Sequence, residues 1–270
     1  MNTRLTLIAA VLCWVFCAGA SGVPMSDAAS YIERAEAAFA EGAAMHAEGD
    51  RGARSRFAEA AAFYERAIEA SGVRNHRLHL NLGNAAMLSG DVGRAVLAYK
   101  RADRLAPRSS RVRESLAFAR ASVGVELRPD ARERGRSLLL AWRGLVPRQL
   151  LLAGFIGGYA LFWIALASGV IWRKPPPVLL GVSAGVAVLS ITLLLVERSI
   201  LHSAEEGVVV SPAGADARLG PGEGVYAPAF DRPLSPGVEV RILESRDGWL
   251  RVRLPDGREA WTPGTAVERV

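Results

Sequence analysis

Cysteine is nearly absent: Cys13 and Cys17, both inside an N-terminal apolar run, are the two the chain has. Downstream of them a disulfide framework, a cysteine-ligated zinc site and a thiol nucleophile are all excluded. The chain also lacks a G-x-S-x-G turn, a phosphate-binding glycine loop before a helix and an H-E-x-x-H pair. The adjacent carboxylates Glu205 and Glu206 fall in a polar stretch that reads as a linker, where a solvated pair is the expectation. The chain therefore reads as a non-enzyme, with no catalytic residue and no cofactor. Basic residues outnumber acidic ones by 33 to 27, but they are almost all arginines interspersed with Ala and Glu. That pattern forms no basic block interleaved with aromatics, so nucleic acid is not an expected partner.

What is present in quantity is apolar sequence. At ~150 residues per domain, 270 residues predict about two folded units, and a mean hydropathy of +0.17 with half the residues hydrophobic points to a membrane-embedded part. Residues 1–20 read as a signal peptide: Arg4, then 14 apolar-run residues from Leu5 to Ala18, then Ala18-Gly19-Ala20 before Ser21. The run is shorter than the ~20 residues a span needs, and bulky Val15 and Phe16 before Cys17 disfavour lipidation. Leu150 to Trp172 is 23 residues without a charge and Val178 to Val196 is 19 more, each long enough to cross a ~30 Å hydrocarbon layer. Arg173, Lys174 and Pro175 to Pro177 separate them, so they read as a transmembrane hairpin with a short cytoplasmic turn. Trp172 ends the first run, where aromatic rings favour the interface. The signal peptide places both large segments outside. Arg132, Arg134, Arg136, Arg143 and Arg148 before the first span oppose this, but the leucines and Trp142 among them suit a stretch from Ser137 to Arg148 lying on the outer surface. In the hairpin, Gly154 and Gly158, and likewise Gly181 and Gly185, are four apart, so each helix offers a notch to another backbone, within the hairpin or from a partner, chance spacing in a Gly-rich apolar stretch being the alternative.

The N-terminal part contains a repeat. Ala60, Tyr64 and Ala67 recur as Ala95, Tyr99 and Ala102, each shifted by 35 residues, while Gly42 and Gly49 recur as Gly83 and Gly90, each shifted by 41. Two helix pairs are predicted, the first with six extra residues in its turn around Asp50 to Arg56. Pro107 closes the second copy, and a helix from about Ser110 to Val123, with Val112, Leu116 and Ala119 on one face, is expected to cap the stack. The pattern resembles the tetratricopeptide repeat (TPR) in Asn81-Leu82-Gly83-Asn84, Gly90, Ala95, Tyr99, Ala102 and Pro107. Such helix pairs bind extended segments along a concave face. Arg77, Leu80, Asn84 and Met87, at helical spacing, are the groove candidates, a solvated or core-packed stripe being the alternative. His76 and His79 have no third ligand near in sequence and read as structural or surface histidines.

After a polar link, 197–206, the grammar changes to strands: Gly207 to Val210, Gly237 to Leu243, Trp249 to Leu254 and Glu259 to Thr262, between Gly-, Pro- and Asp-rich turns. Four to six short strands in so few residues predict a small barrel. The segment resembles a bacterial SH3-like domain in Arg218-Leu219-Gly220-Pro221-Gly222, in Asp247-Gly248-Trp249-Leu250-Arg251-Val252 and in Gly257-Arg258-Glu259-Ala260-Trp261. Trp249 and Trp261 are candidates for an aromatic binding surface or for barrel packing, with packing expected for at least one of them.

The expected fold is thus a multidomain membrane protein: signal peptide 1–20, an all-α TPR helix-pair domain 21–123, a linker and amphipathic juxtamembrane segment 124–149, transmembrane helices 150–172 and 178–196 around a cytoplasmic turn 173–177, a linker 197–206 and a small all-β SH3-like barrel 207–270. This order of parts resembles the BatE-like TPR membrane proteins of the bacterial Bat (aerotolerance) operon, most sharply from Leu80 to Asn84, Gly90 to Ala95 and Leu105 to Pro107. The resemblance implies an inner-membrane adaptor of the bacterial envelope. Its implied partners are membrane proteins of the von Willebrand factor A type, beside a MoxR-type ATPase. The alternative is an envelope protein whose SH3-like domain holds peptidoglycan.

Overall fold

The computed structural model describes residues 25–72, 74–124, 130–131, 134–135, 138, 146, 148–172, 177–202 and 205–270. The expected signal peptide, the turn residues 173–176, the arginines Arg132, Arg136 and Arg143 and the side chain of Trp172 lie outside the described residues. The molecule is mostly helical, with seven helices and one five-stranded antiparallel sheet among the described residues. It divides into two compact units, one ending at Ser89 and one beginning at Gly90. The division falls inside the segment 21–123 that the sequence suggests as one domain.

The first unit contains α1 (Met25–Ala47), α2 (Ala53–Ser71) and α3 (His76–Ser89), with α2 packed on both neighbours. Its interior is built largely from the smallest helix former, alanine, at Ala35, Ala38, Ala60 and Ala67, around the aromatic side chains Phe57 and Tyr64, with Leu78, Leu80 and Leu82 of α3 also buried. Phe57 is 2% exposed and lies over Gly42, where a Cβ would stand 3.1 Å from the ring, and Phe39 meets it edge-on at 5.3 Å.

The second unit begins with α4 (Val92–Leu105) and α5 (Ser110–Ser122). Asp91 caps α4 by accepting from the Arg94 amide and Ser109 caps α5 by accepting from the Val112 amide. Pro107 stands between them, and α5 packs on α4 while burying Val112, Leu116 and Ala119. The sequence repeat reappears as burial: Ala60, Tyr64 and Ala67 are 0, 3 and 0% exposed, and Ala95, Tyr99 and Ala102 are 0, 3 and 0% exposed. The turn glycines Gly49 and Gly90 both take positive φ, at 78° and 94°. The extra residues of the first copy do not all lengthen its turn, because α2 starts at Ala53, well ahead of Ala60, whereas α4 starts at Val92, close before Ala95. One added turn of helix absorbs most of the insertion.

Two long apolar helices follow, α6 (Arg148–Trp172) and α7 (Pro177–His202), packed on each other and long and apolar enough to cross a membrane. Helix α7 runs past Val196 to His202, and the next described element is β1 (Glu205–Val209). Glu205 and Glu206 therefore belong to a strand, where the sequence suggests a linker. The remaining strands are β2 (Glu239–Arg246), β3 (Trp249–Arg253), β4 (Glu259–Pro263) and, after a short 3-10 turn, β5 (Val267–Arg269). The sheet order is β4-β3-β2-β1-β5, which leaves β4 and β5 at opposite edges. This is an open sheet where a barrel is the expectation. At the β4 edge Trp261 exchanges backbone hydrogen bonds with Arg218 from the loop after β1, both at 2.8 Å, and that pairing occupies the edge. Asp247 and Gly248 take φ of 50° and 79° in the two-residue β2–β3 turn, the left-handed geometry a tight hairpin requires. The core face carries Val209, Val240, Ile242, Leu250, Val252 and Ala260.

Candidate interaction surfaces

The four groove candidates on α3 do not share one environment. Arg77 is exposed, Asn84 and Met87 are half-buried, and Leu80 is buried at 7% exposure. Leu80 is a packing residue of its unit, so the stripe runs from solvent into the core along one face. Beside it Asn81 bonds the Tyr64 hydroxyl, while burial and the nearby Glu36 carboxylate push the Tyr64 phenol up. Tyr99, in the other copy, is pushed by burial to about 12. Among the described residues no three His, Cys, Asp or Glu side chains gather to hold a metal, and this includes His76 and His79.

The two glycine pairs of the apolar helices have different surroundings. A Cβ at Gly154 would stand 2.9 Å from the Ser190 Oγ, and one at Gly158 would stand 2.9 Å from the Ser183 carbonyl and 3.0 Å from the Ala187 nitrogen. These glycines let α7 approach along a seam that buries Ser183 and Ser190. Ser183 satisfies its hydroxyl by donating to the Leu179 carbonyl at 2.7 Å on its own helix. Gly181 and Gly185 meet nothing within 4 Å.

On the sheet, Trp249 and Trp261 are both half-buried and neither joins the core. Strand alternation explains this: Leu250 and Val252 of β3 and Ala260 and Thr262 of β4 point inward, which turns Trp249, Arg251, Trp261 and Pro263 outward. The packing role expected for one tryptophan is filled by aliphatic side chains instead. Trp249 pairs in register with Pro263 and Arg251 with Trp261, so the two indoles are diagonal neighbours on one face. The Glu259 carboxyl on that face is held below its usual range, first by its bond to Arg253 and then by Arg251, 2.7 Å away.

A charged surface joins α4 and α5 to the sheet. Lys100, 11% exposed, places its Nζ 3.1 Å from Glu206 of β1 and 2.7 Å from Glu239 of β2. Arg104 reaches Glu206 at 3.3 Å, Arg101 reaches Glu268 of β5 at 2.8 Å, and Arg120 of α5 donates to Glu239 at 3.1 Å. Burial by itself raises the Glu239 carboxyl, but Lys100 and Arg120 more than offset it and hold the group below the usual carboxylate range. Glu206 is thus a paired group, not a solvated one, and Glu205 likewise pairs with Arg269 at 3.0 Å. Reading by motif misses this surface because its partners are more than a hundred residues apart. One signal was available in Gly93, in the first turn of α4, where glycine costs ~1 kcal/mol against alanine and so implies a close approach.

No protein-family model matches the chain, and no curated protein matches it.

Proposed function

We propose that the chain is a non-enzymatic, membrane-anchored adaptor of a bacterial envelope complex of the Bat type. In this reading TPR-like helix pairs and an SH3-like sheet domain, both extracytoplasmic, engage membrane proteins of the von Willebrand factor A type. The observation that carries it is the matched burial of Ala60, Tyr64 and Ala67 with Ala95, Tyr99 and Ala102, since a repeated helix pair is an architecture for holding a partner segment. The two apolar helices supply the anchor. A second reading, a peptidoglycan-binding wall anchor, draws on Trp249 and Trp261 sharing the outer face of the sheet.

A comparison of two variants of the full chain tests both. Asn84→Ala is expected to keep the helical circular-dichroism signal and lose co-purification of the membrane partner. If partner recovery is unchanged there, while joint replacement of Trp249 and Trp261 by alanine abolishes sedimentation with purified murein sacculi, the wall-anchor reading replaces the adaptor.

A further inference from the structure

We infer that the sheet is the built-in partner of α4 and of the capping helix α5. On this view α4 and α5 with β1, β2 and β5 form one folded body that joins the chain across the apolar hairpin and sets the residues before and after it on the same side of a membrane. The inference rests on the membrane reading above.

Backbone proximity is the first reason. A Cβ at Gly93 would stand 2.7 Å from the Val209 carbonyl oxygen and 3.1 Å from the Val210 Cα. From the other side, a Cβ at Gly237 would stand 2.7 Å from Val123 and 3.4 Å from Val92 and Val96. Helix and sheet domain meet through Gly93 of α4 and Gly237 of the turn before β2, with no room for a water layer, and a loosely tethered module has no use for such a fit. Charge is the second reason. Lys100, Arg101, Arg104 and Arg120 face Glu206, Glu239 and Glu268, and separating the surfaces leaves half-buried Lys100 and Glu239 without their counter-ions. A third contact lies elsewhere: the Asp130 amide donates to the Pro255 carbonyl at 2.8 Å, and a Cβ at Gly257 would stand 3.2 Å from the Asp130 carboxylate.

Asp130 precedes α6 and Pro255 follows α7, so two separate places on the chain before the hairpin touch the sheet after it. Were only one apolar helix to cross, Lys100 and Glu206 would be divided by a hydrocarbon layer of ~30 Å, which is irreconcilable with their 3.1 Å contact. A binding consequence follows. The α4–α5 surface, where a repeat stack would accept its next repeat, is taken by the chain's own sheet, and the face bearing Trp249 and Trp261 is left for other molecules.

The test is cross-linking in membranes. In the full chain with Cys13→Ser and Cys17→Ser, Arg101→Cys and Glu268→Cys are introduced together with a protease site between Lys174 and Pro175. A short, membrane-impermeant bifunctional thiol reagent is applied to right-side-out vesicles, the chain is cut, and denaturing electrophoresis shows whether the halves stay joined. Joined halves are expected. If a monofunctional impermeant reagent labels both thiols but the halves separate, the joint body is overturned and the two-pass reading stands. If it labels one thiol alone, both fall; if the halves join in inverted vesicles instead, the body stands and the extracytoplasmic placement falls. Adding Gly93→Val is expected to slow the cross-link by about tenfold, and an unchanged rate overturns the close approach as its basis.

Discussion

The interior of the first helical unit and the junction of α4–α5 with the sheet hold their elements together by opposite means. Around Phe57 the contacts are alanine, glycine and aromatic rings, which respond to volume and hardly to salt or acid. The phenol in this interior, Tyr64, is pushed upward by burial and stays neutral well beyond neutral pH. At the junction, long cationic side chains meet carboxylates over a narrow glycine seam. Such contacts follow protonation and screening. One chain therefore combines a part that is sensitive to a methyl group with a part that is sensitive to a proton.

The largest expected effect falls on the apolar side. Phe57→Ala empties the contact with Gly42 and Phe39 and is expected to cost about 3–5 kcal/mol, read as a lower urea midpoint of the helical signal in detergent. A loss the size of a surface substitution would mean that the alanine interior collapses around the cavity.

At the junction, Glu239→Gln removes the carboxylate that Arg120 holds and leaves Lys100 with Glu206 alone, and is expected to cost about 2 kcal/mol. The pH dependence has a definite sign. Because the Glu239 carboxyl is depressed in the folded protein, its contribution is fully present above the ordinary carboxylate value of ~4.3 and is lost as pH falls through the lower folded value. Cross-linking between positions 101 and 268 should then weaken in acid below about pH 4, while the helical signal from the first unit persists. Parallel loss of both signals would erase the contrast between the two regions.

The apolar helices sharpen it at an intermediate size. Gly158→Ile drives a branched side chain into the Ser183 carbonyl and is expected to cost about 2 kcal/mol, seen as a lower thermal midpoint in detergent. Gly185→Ile, facing open space, should leave that midpoint unchanged, and equal losses would mean that both faces are packed.

The smallest effect is a gain. The Thr262 hydroxyl is buried in the sheet core without a hydrogen-bond partner among the described residues. Thr262→Val is expected to stabilise the sheet by about 1 kcal/mol, measured by hydrogen exchange of the β3–β4 amides. A destabilised sheet would reveal a partner for the hydroxyl.

Local and periodic features were legible from the chain alone. The spacing of Ala60, Tyr64 and Ala67 against Ala95, Tyr99 and Ala102 specified buried helix faces, the 23-residue and 19-residue apolar runs specified two long helices, and Asp247-Gly248 specified a tight hairpin. Each depends on residues within a few turns of one another, where periodicity and backbone geometry carry the information. The side-chain surroundings of Leu80, of Trp249 and Trp261 and of the two glycine pairs were not legible in this way. Spacing places residues on a common face without saying what that face meets.

The amino-acid sequence by itself determined the kind and order of most helices and strands, though not that α7 runs to His202 or that Glu205 and Glu206 open β1, because propensity, hydrophobic period and turn chemistry act over short stretches of chain. Only the tertiary structure decided that Gly154 and Gly158 face α7 while Gly181 and Gly185 do not, and that the strands leave an open sheet with Arg218 on its edge. The same holds for Glu206, which its local sequence marks as a linker carboxylate and which lies in a strand beside Lys100 and Arg104. An ion pair is set by where two distant segments come to rest, and no local pattern in either segment carries that distance.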